Sequence, residues 1–203
     1  SKKIADVTAE AKRGAFTLKV SSTIGMKVGD RIEIYVRDDE HKTLTTHFYS
    51  GDPGDMRLVK GSIGSFVAKL TEVTPNQIVF DRPLRFDVRL VWKPAIRRFA
   101  PTASEIGIEN LGIEFPPGKY EGHFTERGFN AIAMSSVADC WVKNVKIKNA
   151  ESGIFLSSKF CTLTGLTFES ERSPARGCTG HHGVILGGTD NLCTEFRFNT
   201  KFI

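Results

Sequence analysis

The sequence lacks most of the patterns that would name a chemistry outright. It has four cysteines among 203 residues and no C-x-x-C pair, so a zinc cluster built on thiolates is unsupported. It has no glycine-rich phosphate loop and no serine nucleophile elbow, which removes P-loop and α/β-hydrolase chemistry. It has no N-x-[ST] sequon and no apolar run near the roughly 20 residues that span a bilayer. No sustained 3.6-residue hydrophobic period occurs, which argues against helical repeats. No signal-peptide pattern opens the chain, but its first residue is Ser1, so that absence is neutral on secretion. Aromatics are not interleaved with basic residues. Nucleic-acid binding therefore rests on charge alone and is not expected.

The charge is mild, +5 at neutral pH with a pI near 9.1. It suits an acidic polymer as partner, and a solvated surface with a slight cationic excess explains it equally well.

What the sequence does have is a repeat. "CWVKNVKIKN" (residues 140–149) and "CTLTGLTFES" (161–170) agree position by position, and "IGIENLGIEF" (106–115) and "NLCTEFRFNT" (191–200) extend the series. The third position holds Ile108, Val142, Leu163 and Cys193. The sixth holds Leu111, Val145, Leu166 and Phe196. The eighth holds Ile113, Ile147, Phe168 and Phe198. Positions one and three alternate as a strand does, and so do six and eight, with a one-residue slip between them. A slip reverses the facing of side chains unless the backbone bends there. Asn110, Asn144 and Gly165 suit such a corner because Asn and Gly tolerate left-handed backbone. Glu195 departs from that rule.

A further strand precedes three of the frames, in "NAIAMSS" (130–136), "SGIFLSS" (152–158) and "HGVILGG" (182–188). Ile132, Ile154 and Val184 share one column, and Met134, Leu156 and Leu186 the next. Three strands per turn, at frame spacings of 34, 21 and 30 residues, predict an all-β right-handed parallel β-helix over residues 101–203. Each coil buries its apolar face only against its neighbours, which is why the chain repeats itself. No capping element follows the last frame. The expectation is that further C-terminal coils, or a second chain, complete the stack.

Residues 1–100 read differently. "GAFTLKV" (14–20), "KVGDRIEIYV" (27–36), "GSFVAKLTEV" (64–73) and "NQIVFDRPL" (76–84) alternate as strands punctuated by Gly and Pro. They predict a small β-barrel-like module, with "TPNQ" as a hairpin turn, a long polar loop at 41–61, and "AIRRFAP" (95–101) leading into the coils.

In solenoids, insertions between core strands gather on one side and carry the binding face. Long loops follow the frames at 116–129 and at 171–182, and only "AE" follows the frame between them. A tight turn between two long loops is the shape of a cleft. The candidate catalytic residues are His181, His182, Arg176 and Glu126. The candidate substrate-binding residues are Arg127, Arg172, His123, Glu171 and Asp190.

Histidine exchanges a proton near neutral pH, and the planar fork of arginine holds a carboxylate or sulfate by two oxygens. For a lyase, His181 or His182 serves as base and Arg172 or Arg176 as clamp. For a glycosidase, two of Glu126, Glu169, Glu171 and Asp190 would have to pair at a defined separation. The competing explanation is that these loops are polar because they are exposed. An edge filled by Tyr120 and Phe124 favours a structural role. Of His181 and His182, one ring is expected to point out and the other in. Cys140 and Cys161, stacked in one column, read as reduced core residues, and Cys178 as the one thiol open to reaction.

From about residue 106 onward these coils resemble the pectate-lyase-like superfamily of single-stranded right-handed β-helices. That superfamily includes secreted polysaccharide lyases, glycoside hydrolases and phage tail spikes. A "KVGDRI…PNQIVFDRPL" segment like the one here accompanies the first coils in secreted members. The resemblance implies an extracellular protein that cleaves or binds an acidic polysaccharide, with a non-catalytic spike, wall or surface component as the alternative. The lyases' paired acidic calcium ligands and catalytic arginine or lysine have no counterpart that aligns here. Calcium is therefore possible only by resemblance, no cofactor or metal is expected from the residues, and no catalytic residue is transferred.

Overall fold

The computed structural model describes residues 2–55, 61–172 and 177–202. The chain divides into two units, Ser1–Ala100 and Pro101–Ile203, each built round its own hydrophobic core.

The first unit carries strands β1 (Lys3–Asp6), β2 (Thr17–Lys19), β3 (Arg31–Arg37), β4 (Ile63–Thr74), β5 (Gln77–Phe80) and β6 (Ala95–Arg98). They form one antiparallel sheet in the order β1-β6-β3-β4-β5-β2. The two edge strands then meet. Val7 bridges Val20, the Thr8 amide donates to the Lys19 carbonyl at 2.9 Å, and the Ser21 amide to the Asp6 carbonyl at 2.9 Å. The sheet thus closes on itself and leaves no open edge. Alternation places Ile32, Ile34 and Val36 of β3 inside. The "TPNQ" turn joins β4 to β5 with Thr74 facing Gln77.

Two expectations are corrected here. Residues 95–98 are not a lead-in. They are β6, held between β1 and β3, because Ala95 and Ile96 bury in the core. Residues 41–61 are not uniformly loop, for they contain α1 (Thr43–Phe48). Asp38 and Asp39 create that helix by accepting its first amides: Thr43 to Asp39 at 3.0 Å, and Leu44 to Asp38 at 2.8 Å. Leu44 is fully buried, and the Trp92 indole donates to the Thr43 hydroxyl at 2.8 Å.

The second unit is a parallel β-helix. Strands β7 (Gly107–Glu114), β9 (Trp141–Lys148), β11 (Thr162–Glu169) and β13 (Leu192–Asn199) stack as one sheet. Strands β8 (Asn130–Ala138), β10 (Ser152–Lys159) and β12 (His182–Thr189) stack as another. The register matches the repeat. Ile108, Val142, Leu163 and Cys193 pair in succession, as do Ile132, Ile154 and Val184.

Where two short strands per frame were expected, the ladder runs through a single bent strand. The bend is a left-handed residue at the expected place: Asn110 (φ 54), Asn144 (φ 53) and Gly165 (φ 65). Glu195 adopts it too, with φ 58, so stacking on the coil below overrides residue preference there. Cys140 and Cys161 are buried free thiols that donate to the carbonyls of Ala138 and Lys159.

Candidate functional site

Residues 115–129 connect β7 to β8, and residues 170–181 connect β11 to β12. Between them β9 reaches β10 through residues 149–151 alone. That short turn is the anchor of both loops. Asn149 is fully buried in left-handed backbone (φ 57). Its amide donates to the Phe115 carbonyl at 3.1 Å and accepts the Glu171 N–H at 2.8 Å, so one side chain spans three coils.

Glu151 is 1% exposed. Its Oε2 accepts the amides of Gly128 at 2.8 Å and Phe129 at 3.0 Å. Its Oε1 lies 3.5 Å from a guanidinium nitrogen of Arg172. Its carbonyl accepts the His181 amide at 2.7 Å.

On that base the loops touch. The ring centroids of His123 and His181 are 3.8 Å apart, and those of His181 and His182 are 3.6 Å apart and nearly parallel. Glu126 Oε1 lies 3.2 Å from His123 Nδ1, 3.4 Å from His181 Nδ1 and 3.3 Å from the Tyr120 hydroxyl, which donates to it. Tyr120 is fully buried, and burial, with the Glu126 charge beside it, pushes its hydroxyl up to about 12. The Glu126 carboxyl is held below the usual carboxylate range by its own backbone N–H and by His123 and Tyr120. His181 is held below the ordinary imidazole value by burial, then by the neighbouring histidines. The cluster thus favours the ionised form of Glu126 and the neutral form of His181. His123, Glu126 and His181 offer three ligand atoms within 4.8 Å of one another, the one group among the described residues able to hold a metal.

The geometry alters several sequence expectations. The two loops meet, His123 against His181, instead of facing each other across an open gap, and Tyr120 is buried where it bonds Glu126. The rings of His181 and His182 lie on the same side, stacked, because strand alternation starts only at His182 where β12 begins. Arg172 is buried against the Phe129 ring and Glu151, with Nε lacking a hydrogen-bond partner among the described residues. Its guanidinium holds a loop and faces no solvent. Glu171 pairs with Lys148 at 2.8 Å, and Lys148 also reaches Glu114 at 3.0 Å. Glu169 pairs with Lys146 at 2.8 Å.

Asp190 follows β12, at the opposite end of that strand from His182, and does not join the cluster. Arg176 lies outside the described residues. Arg127 and His123 are exposed on the first loop, and Phe124, 87% exposed, has its ring 3.7 Å from that of His123. Asn149 and Glu151 were not singled out from the sequence. The sign of them was an uncompensated glutamate in the shortest turn.

Comparison with known proteins bears on the fold. No protein-family model and no curated protein matches the chain. Among solved structures it is similar to the tailspike gp61 of Pseudomonas phage phi297, with 12% identity, a TM-score of 0.50, and alignment over 96% of this chain and 34% of that one. It is also similar to the Gp54 tailspike of Acinetobacter baumannii bacteriophage AP22, solved in complex with A. baumannii capsular saccharide. There the identity is 13%, the TM-score 0.46, and the coverage 97% of this chain and 37% of that one. The chain spans about a third of the length of these structures. At such identities the likeness is one of fold. Among the described residues no helix is long and apolar enough to cross a membrane.

Proposed function

We propose that the protein is an extracellular β-helix that binds an acidic polysaccharide on the face made by residues 116–129 and 177–182, as an adhesive component. The observation that carries this reading is Phe124. A phenylalanine 87% exposed to water forfeits about 2 kcal/mol of burial, and here it sits on a loop whose base is fixed by Tyr120 and the Glu151–Arg172 pair. An exposed ring on a rigid base offers a flat apolar surface to the C–H face of a pyranose. Arg127, exposed on the same loop, offers a planar fork to a uronate carboxylate. The basic net charge favours the same class of polymer.

Binding is favoured over cleavage by the fate of the other charged candidates. A glycosidase needs two carboxylates across the scissile bond. Glu169 and Glu171 are each drawn to a lysine, and Asp190 lies at the far end of its strand. Of the two arginines expected as a lyase clamp, Arg172 is buried and Arg176 lies outside the described residues.

The test is a screen of acidic and neutral capsular-type polysaccharides by calorimetry, with product followed as ultraviolet-absorbing unsaturated ends and as new reducing ends. Binding without product is expected. Phe124→Ala or Arg127→Ala should weaken it about 10-fold or more, as loss of a dominant contact does. Product of either kind would replace this reading with an enzymatic one. Binding indifferent to both substitutions would move the site elsewhere.

A further inference from the structure

We infer that His123, Glu126 and His181 form a zinc site that ties the loop of residues 116–129 to the start of β12. The distances carry it. Ligand atoms held 2.0–2.2 Å from a tetrahedral zinc ion lie about 3.3 Å from one another. Glu126 Oε1 is 3.2 Å from His123 Nδ1 and 3.4 Å from His181 Nδ1.

As hydrogen bonds the same contacts are poor. One carboxylate oxygen carries about two lone pairs, yet three donors, counting the Tyr120 hydroxyl at 3.3 Å, converge on Oε1. Two of the three distances exceed the usual upper limit for such bonds, about 3.2 Å. An ion between the imidazoles and the carboxylate replaces two competing donors with two bonds of ordinary length.

The donor set selects the metal. Two imidazole nitrogens and one carboxylate oxygen suit zinc, whereas calcium and magnesium take oxygen ligands throughout. Zinc binds the deprotonated form of each of these groups, so its uptake releases whatever protons they hold. With the ion in place the Tyr120 hydroxyl is the one remaining donor to Oε1, the outer partner a metal-binding carboxylate takes. His123 and Glu126 lie three residues apart on one loop, and His181 arrives from another coil, so the ion cross-links segments separated by more than fifty residues of chain. This inference does not depend on the polysaccharide reading.

The test uses the full chain without an affinity tag. Zinc chloride is titrated in by calorimetry at neutral pH, and cobalt(II) is added in parallel as a visible-absorbing stand-in. One equivalent of zinc is expected, together with the intense visible bands of four-coordinate cobalt. His123→Ala, His181→Ala and Glu126→Gln should each weaken binding by at least about 10-fold, the least that loss of even an outer-shell partner costs. His41→Ala, in the other unit, should leave it unchanged. Far-ultraviolet circular dichroism checks that each variant is folded, and Glu126→Gln, nearly isosteric, is the variant least able to disturb the loops. Absence of binding, or binding that survives Glu126→Gln in a folded protein, would overturn the site.

Discussion

At Glu151 one carboxylate serves both loops, and its partner Arg172 is as deeply buried. The pair is a liability if broken, because a lone buried charge is costly whatever the intact pair contributes. Glu151→Gln keeps an oxygen to receive the amides of Gly128 and Phe129 but leaves the guanidinium without an anion. It should lower the stability of the second unit by about 3–5 kcal/mol in urea unfolding. Adding Arg172→Met to it should restore part of that loss, since the orphaned cation goes as well. A single variant within 1 kcal/mol of the parent would mean that the pair is solvated and anchors nothing.

The same residue marks a limit of sequence reading. Residues 150 and 151 are legible as a tight turn, and from that the convergence of the two long loops follows. What the carboxylate touches does not, because its partners are two amides 22 and 23 residues upstream and an arginine 21 residues downstream. Arg172 looked like a ligand clamp for the same reason: a string of residues reports charge and not burial.

Elements were more legible than contacts, because each rung is copied from the one beneath. Apolar class recurs at fixed frame positions, so the columns through Val142 and Ile154 could be read directly, and the slip in phase located the corner. The short helix Thr43–Phe48 was not legible. Six residues give too little period to detect, and the cause is two aspartates preceding it.

The corners yield a paired prediction. Gly188 has φ +82, and a Cβ there would collide with the Ser158 carbonyl of the coil below. Gly188→Ala should therefore cost more than the roughly 1–2 kcal/mol of left-handed backbone alone. Gly165 also has positive φ, but a Cβ there meets first the side-chain oxygen of Asn144, on a flexible side chain and not backbone. Asn144 already donates to Asn110 at 3.1 Å, so Gly165→Asn extends an asparagine ladder by one rung. It should stay within about 0.5 kcal/mol of the parent. Thermal melting of the two variants side by side decides the matter, and the reverse order would mean that the corners are assigned to the wrong residues.

At the scale of the whole molecule, the first unit has what independent folding requires: a closed sheet and its own buried cluster, from Ala5 to Ile96. Residues 1–100 expressed alone should unfold in one cooperative transition. Its response to acid follows from Asp87. That carboxylate accepts the Arg13 amide at 3.0 Å and pairs with Arg89 at 3.2 Å and Lys12 at 3.3 Å. These contacts, the backbone amide foremost, lower its pKa from 3.8 to about 2. The folded value lies below the unfolded one, so the unfolded chain binds more protons in that window and stability rises with pH across it. The contribution is complete above pH 4 and is lost as the pH falls toward 2. Asp87→Asn keeps an acceptor for the Arg13 amide and removes the charge. It should reduce stability at pH 7 and flatten the decline between pH 4 and 2, both read from urea midpoints of residues 1–100. An unchanged decline would place the acid sensitivity on other carboxylates, and a broad, non-cooperative transition would mean that the barrel depends on the coils that follow it.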